Sequence, residues 1–197
     1  MQIDTDILIA WGALAKKYRK NEIIFQEGDS PRYYYQIISG KVKMFNVSTD
    51  TKELTQGIFT EGESFAEPPI LINEVYPASA ITVTDTVLIR ILKERFVQLL
   101  DEYPALQRKF LNLFSERIYE KSLLARELAG SSPEHRIINF LTQYKKKCGS
   151  GKERKQVDFT RQEIANFTGL RVETVIRTLQ KMNAKNIVSI IDKKLHY

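Results

Sequence analysis

Between Asp158 and Met182 the apolar residues fall into two short helical faces. Ile164, Ala165 and Phe167 line one side of a first helix, and Val175, Leu179 and Met182 recur at i, i+4 and i+7 along a second. Thr168-Gly169-Leu170 lies between them, where glycine takes a sharp turn that a side chain resists. The spacing predicts a helix-turn-helix whose second helix starts near Arg171. The other face of that helix carries Val172, Glu173, Ile176, Arg177 and Gln180, two apolar residues among an acid, a base and an amide. A merely solvated face would be charged throughout.

Upstream the period changes. Residues 3–15 suit a short amphipathic helix around Ile3, Ile7, Leu8, Trp11 and Leu14. Residues 22 to 91 then break into short β-like runs: Ile23–Phe25, Tyr33–Ile38, Val42–Val47, Leu54–Phe59, Ala78–Val83 and Val87–Ile91. Turn signals such as Glu27-Gly28-Asp29, Ser39-Gly40, Ser48-Thr49-Asp50 and Glu61-Gly62-Glu63 separate them, which predicts an all-β barrel or roll. Helical spacing returns over Lys93–Asp101 and runs on from Ala105 to Ala129 without Gly or Pro, about 38 Å of helix at 1.5 Å per residue.

In that long helix Leu111, Phe114, Ile118, Lys121, Ala125 and Leu128 alternate at spacings of three and four. Periodicity leaves two readings open: a helix packed on its own roll, or a seam paired with a second copy. Gly130-Ser131-Ser132-Pro133 reads as a hinge, with Ser132 capping the next helix and Pro133 in its first turn. That helix, to about Lys147, would bury Ile137, Ile138, Leu141 and Tyr144, and a flexible loop from Cys148 to Lys152 would follow it. A short strand is expected near Val157-Asp158-Phe159. At the end, Ile187–Ile191 and Lys194–Tyr197 suit a hairpin turning at Asp192-Lys193, a wing on backbone phosphate.

Composition narrows the classes. Hydrophobic content of 43% with 27% charged residues is ordinary for a globular protein. No apolar run of about 18 residues predicts a membrane span, and Asp4 and Asp6 ahead of the first apolar stretch oppose a secretory signal, so a cytoplasmic location is expected. The single cysteine, Cys148, makes no internal disulfide and cannot alone hold zinc or an iron–sulfur cluster. His135 and His196 read as surface or capping residues. From Ser131 to Tyr197 there are 14 Lys+Arg against 6 Asp+Glu, net +8, while the preceding residues are net −2. The polyanion-binding end is the C-terminal one. No nucleophile–base set, metal cluster or phosphate loop is visible, so no enzyme is expected.

The mixed face of the second helix suits the DNA major groove. Arginine bonds two guanine acceptors, glutamate accepts from the cytosine amino group, and Val or Ile meets thymine methyls. The bland reading, an i, i+4 pair of Glu173 with Arg177, leaves Val172 and Ile176 unexplained. Arg171 at the helix start is a poor cap and opposes the dipole, a cost of about 1 kcal/mol that a phosphate contact would account for. A boundary misplaced by a residue accounts for it equally.

Thr160-Arg161-Gln162-Glu163-Ile164, Gly169, Glu173-Thr174-Val175, Arg177, Leu179 and Met182 together resemble the reading unit of the Crp/Fnr family of bacterial transcription regulators. The resemblance implies base reading by Glu173 and Arg177, joined here by Val172 and Ile176, and phosphate contacts from Arg161, Gln162 and Thr174, to which the poor cap adds Arg171. Val172 replaces a third base-reading arginine found in cyclic-AMP-binding members, and Val-Glu-x-x-x-Arg looks closer to the fumarate–nitrate branch. That branch's iron–sulfur cluster is not expected, for want of cysteine ligands. Glu27-Gly28-Asp29 and Ser39-Gly40-Lys41-Val42 resemble the β-roll of cyclic-nucleotide-binding domains.

In that roll Gly62 to Ala80 matches the segment that cradles cyclic AMP. Glu67 is present, but Pro77 and Ala78 stand where an Arg-Ser pair would hold the phosphate, and Ala66 and Pro68 flank Glu67. Charge-assisted hydrogen bonds contribute roughly 1.5–3 kcal/mol each, so losing two weakens binding on the order of 10²–10⁴-fold. Of the two residues that would meet the adenine, Ser122 matches and Lys121 does not. Cyclic AMP is therefore not the expected effector; the pocket candidates reduce to Glu67 and Ser122, and Glu67 reads equally as a turn carboxylate bonded to local backbone.

The fold expected is α+β. Residues 1–130 form an antiparallel β-roll with a dimerisation helix over about 105–129, carrying Leu111, Phe114, Ile118, Ala125 and Leu128. Residues 131–197 form a winged helix-turn-helix. The function expected is sequence-specific binding to double-stranded DNA by a homodimer on a palindromic promoter site, without cofactor or metal, with a small-molecule effector left open. By resemblance it would contact RNA polymerase. The alternative is a cyclic-nucleotide or other small-molecule sensor acting through protein partners.

Overall fold

The computed structural model describes residues 2–48, 52–128, 131–147 and 154–197. The chain forms two compact units, Met1–Ile118 and Tyr119–Tyr197. The first opens with α1 (Thr5–Ala10), β1 (Leu14–Tyr18), β2 (Ile23–Phe25), β3 (Tyr33–Ser39), β4 (Lys41–Val47), β5 (Glu53–Thr60) and β6 (Ser64–Phe65). It continues with α2 (Pro68–Ile72), β7 (Ser79–Thr82), β8 (Thr86–Leu92), α3 (Lys93–Glu102) and α4 (Pro104–Leu128). The strands make two antiparallel four-stranded sheets, ordered β1-β8-β3-β6 and β2-β7-β4-β5. This is the expected roll.

Alternation explains the sheets. Tyr35, Ile37, Leu88, Val42 and Ala80 point between them and join Phe25, Phe65 and Tyr76 in one aromatic-rich core. The outer face of β3 turns Tyr34 toward Phe96 of α3, stacked at 4.3 Å, and toward Phe110 of α4. Gln36 belongs to this layer although polar. Its Oε1 accepts from the Ile3 N–H and the Tyr34 hydroxyl, and its Nε2 donates to the Ile3 carbonyl, each at 2.9 Å. A buried amide is tolerable when its donors and acceptors are met this way.

Two departures from the sequence reading concern this unit. The amphipathic helix over 3–15 is shortened to α1, and Leu14 begins a strand. With Lys16 and Lys17 exposed and only Tyr18 of β1 buried, the strand lacks the apolar alternation that betrays its neighbours. Its place comes from pairing with β8. The two-residue β6 was also missed. The turn at Thr49-Asp50, Gly130 of the hinge and the loop from Cys148 to Lys152 lie outside the described residues.

The second unit holds the remainder of α4, α5 (Pro133–Lys147), β9 (Gln156–Val157), α6 (Arg161–Thr168), α7 (Val172–Ala184), β10 (Ser189–Ile191) and β11 (Lys194–His196). The last three strands form a sheet ordered β10-β11-β9. Ser132 caps α5 through its Oγ, which accepts from the His135 N–H. Ile137, Leu141, Ile164, Val175, Leu179, Met182, Val188 and Leu195 are buried together, each side chain contributing about 1.5–3 kcal/mol.

Candidate nucleic-acid interface

Local chemistry sets the reading unit. Thr160 and Glu163 close a capping box at the start of α6: the Glu163 N–H donates to Thr160 Oγ1 at 3.1 Å and the Thr160 N–H to Glu163 Oε2 at 2.7 Å. Gly169 ends the helix at φ +65°, the left-handed conformation expected of it. Chain direction then reverses, and α7 begins after Arg171, whose extended backbone caps it with no side-chain hydrogen bond among the described residues. The boundary read from sequence was right, so the ill-suited cap is real.

One face of α7 buries Val175, Thr178, Leu179 and Met182. The opposite face exposes Glu173, Arg177, Gln180 and Ile176, the last 43% exposed. Glu173 and Arg177 are not ion-paired among the described residues, so both remain available to base edges. Val172 is half-buried and packs against the core, which limits its reach outward. Thr174 is half-buried at the same end.

The expected phosphate contacts divide. Arg171 is exposed. Gln162 instead donates from Nε2 to Asn166 Oδ1 at 2.9 Å along α6. Arg161 points toward the hairpin, where its Nη2 lies 3.5 Å from the Lys193 carbonyl, and partial burial lowers its guanidinium below the usual value. The hairpin turns at Asp192 and Lys193, both with positive φ, +48° and +65°. Two-residue turns of this hand favour Asn-Gly. Here two polar side chains occupy the tip instead, and Lys193 and Lys194 are exposed beside Arg161.

Sequence reasoning missed the ties that hold this hairpin. Asn183 Oδ1 accepts from the Ile190 N–H at 2.9 Å. Arg154 donates to Ser189 Oγ at 2.6 Å and to the Asn186 carbonyl. Lys185, which caps the end of α7, pairs with Glu134 of α5 at 3.0 Å. These are long-range pairings of common polar residues, and nothing in their spacing marks them.

In the other unit the presumed pocket residue Glu67 is fully buried at the start of α2. Its carboxylate takes the Ser64 hydroxyl and a 2.9 Å ion pair from Arg117 of α4. The local-backbone reading of Glu67 is thereby replaced by side-chain partners, one of them fifty residues away. Ala66 sits before it at φ +61°. Pro77 and buried Ala78 offer no side-chain donor. The Pro77 carbonyl accepts from Asn46 Nδ2 at 2.6 Å, and the same nitrogen donates to the Glu27 carboxylate at 3.0 Å. Tyr76 lies on Phe25 with ring centroids 3.7 Å apart. Ser122 is exposed on α4 and belongs to the second unit.

Comparison with known proteins gives this geometry a lineage. Residues 15–103 match the family model for a cyclic nucleotide-binding domain, and residues 135–196 that for a Crp-like helix-turn-helix domain. The transcriptional activator protein Anr of Pseudomonas aeruginosa is 26% identical over 181 residues, 90% of this chain and 74% of that protein. The cyclic AMP receptor protein of Thermus thermophilus is 27% identical, over 88% of this chain and 78% of its own. The solved structure of CLP, the c-di-GMP responsive global regulator of Xanthomonas campestris, superposes with a TM-score of 0.83 at 25% identity and covers 98% of both chains. FixK2 of Bradyrhizobium japonicum shares the fold, with a TM-score of 0.77 at 19% identity.

The chain belongs to the Crp/Fnr family. It is a transcription regulator with a helix-turn-helix DNA-binding domain. Its curated Crp/Fnr relatives are regulators rather than enzymes. Among the described residues no helix of this Crp/Fnr chain is long and apolar enough to cross a membrane. No group of three His, Cys, Asp or Glu side chains is disposed to hold a metal among them either. Of the seam residues, Leu111 and Ile118 are 64% and 65% exposed and Lys121 and Ala125 are exposed, whereas Phe114 leans on Phe110 at 5.8 Å. Phe114 thus serves the roll, as the first reading of α4 has it, while Leu111 and Ile118 face away from it. The side chain of Leu128 lies outside the described residues.

Proposed function

We propose that this Crp/Fnr regulator acts in the cytoplasm as a homodimer on a palindromic promoter site. Glu173, Ile176 and Arg177 read bases in each half, with Val172 at the margin. Arg171, Thr174 and Arg161 meet phosphates, as does Gln162 once its bond to Asn166 opens. The observation that carries the reading is the face of α7: an acid and a base without an ion pair among the described residues flank an exposed isoleucine, opposite a buried stripe. Leu111 and Ile118, exposed on a 25-residue helix, support pairing of two copies. A pair would set two readers about 34 Å apart, one helical turn of DNA. RNA polymerase is the further partner by family analogy.

Cyclic AMP does not serve as effector in this reading. Pro77 and Ala78 supply no phosphate donor, and the Glu27 carboxylate beside Pro77 repels an anion. This also disfavours a nucleotide sensor acting through proteins; micromolar heat with cyclic AMP or cyclic GMP in calorimetry would reinstate it. The main test is selection of bound duplexes from a random pool, with and without a metabolite mixture. An inverted repeat is expected. Recovery of unrelated sequences at physiological salt sinks the proposal.

A further inference from the structure

Arg117 of α4 makes a fork into the roll. Its Nη1 donates to Glu67 Oε2 at 2.9 Å and its Nη2 to the Ser64 carbonyl at 2.7 Å, while the guanidinium lies 5.4 Å from the Phe59 ring centroid. One planar group thus grips the start of α2 and strand β6 together. Two bonds from a rigid fork fix the rotation of a helix as well as its position. Turning α4 by one residue swings a side chain by about 100° and withdraws both bonds. In the rotation that the fork holds, Phe110, Leu113 and Phe114 meet the roll, and Leu111 and Ile118 face away.

We propose that Arg117 is a positioning residue that holds α4 in its pairing-competent rotation from within, so that this regulator pairs and binds DNA without a small-molecule effector. The idea rests on the homodimer reading above. Three features converge on it. The carboxylate of Glu67, which the family resemblance would offer to a ligand, is fully buried and already bonded to Arg117 and Ser64. The space between the sheets is filled by Phe25, Tyr35, Phe65 and Tyr76. The gripping residue is the immediate neighbour of Ile118 in the outward stripe.

The test uses the full chain, purified free of nucleotides, in sedimentation velocity and in titrations with the selected inverted repeat and with a single half-site. R117M combined with E67Q removes both charges together, so no buried charge is stranded. That variant is expected to keep its thermal midpoint within about 4 °C, yet to pair and to bind the repeat roughly tenfold more weakly, with half-site binding unchanged. R117K keeps a charge for Glu67 but lacks the planar fork, and is expected to fall between that variant and wild type. It also serves as the readout should the double variant not fold.

Wild-type pairing by either variant overturns the inference, as does a wild-type chain that pairs or binds only after cyclic AMP, cyclic GMP or c-di-GMP is added. A wild-type chain that stays monomeric and ignores every selected duplex overturns the proposed function, and this inference with it. Pairing and repeat binding that survive in both variants leave the homodimer reading standing alone.

Discussion

At Gly169 the turn into α7 places a left-handed backbone, φ +65°, on the residue that adopts it without strain. At Ala66, on the way into α2, nearly the same angle, +61°, falls on a residue with a side chain. The contrast extends outward from both points. In the reading unit, Thr160 and Glu163 bond each other's backbone within four residues. In the roll, Glu67 answers to Arg117, fifty residues on. One region is built from choices that agree locally. The other is held against local preference by its surroundings. Chemistry aimed outward, at DNA, stands on a scaffold that is locally consistent at α6 and its turn, with the Arg171 cap and the Asp192-Lys193 tip as exceptions. The strained and buried chemistry has turned inward.

Variants can break or sharpen this contrast. The largest effect on stability is expected for Arg117→Ala, which leaves the Glu67 carboxylate buried with Ser64 alone. A loss of about 3 kcal/mol in urea unfolding is expected, and a loss under 1 kcal/mol would show that the pair is dispensable packing. Next comes Arg177→Ala, expected to cost about 1–3 kcal/mol on the selected repeat with unfolding unchanged. An equal loss on random DNA would move Arg177 from base edge to backbone. Thr160→Ala should destabilise the second unit by about 1 kcal/mol, read by thermal unfolding, because the box at α6 loses one of its two bonds. Last, Ala66→Gly should stabilise by about 0.5–1 kcal/mol by relieving the left-handed strain. Destabilisation there would mean that the alanine methyl packs more favourably than its backbone is strained, and the contrast would weaken.

The same division explains what could be read from the sequence. Gly169, the buried stripe of α7, the cap at Ser132 and the hairpin at Asp192-Lys193 follow from spacing and residue type, and the structure has each of them. Strand β1 escaped because four of its five side chains are exposed and its place is fixed by pairing with β8. The Arg117 fork escaped because an arginine on a charged helix looks like any solvated cation until the fold brings Ser64 and Glu67 beneath it. Phe114 showed the limit of a heptad count: its spacing suits the seam, but its ring leans on Phe110.

The side chain of Gln36 treats Ile3 as an adjoining strand would, giving one bond and taking one. The amino-terminal residues are therefore stitched into the domain rather than draped over it. A glutamate at position 36 would offer two acceptors where one donor is required. Leader segment and body would then part, uncovering Leu8 and Trp11 to water, and faster amide exchange at Leu8 would register the loosened seam.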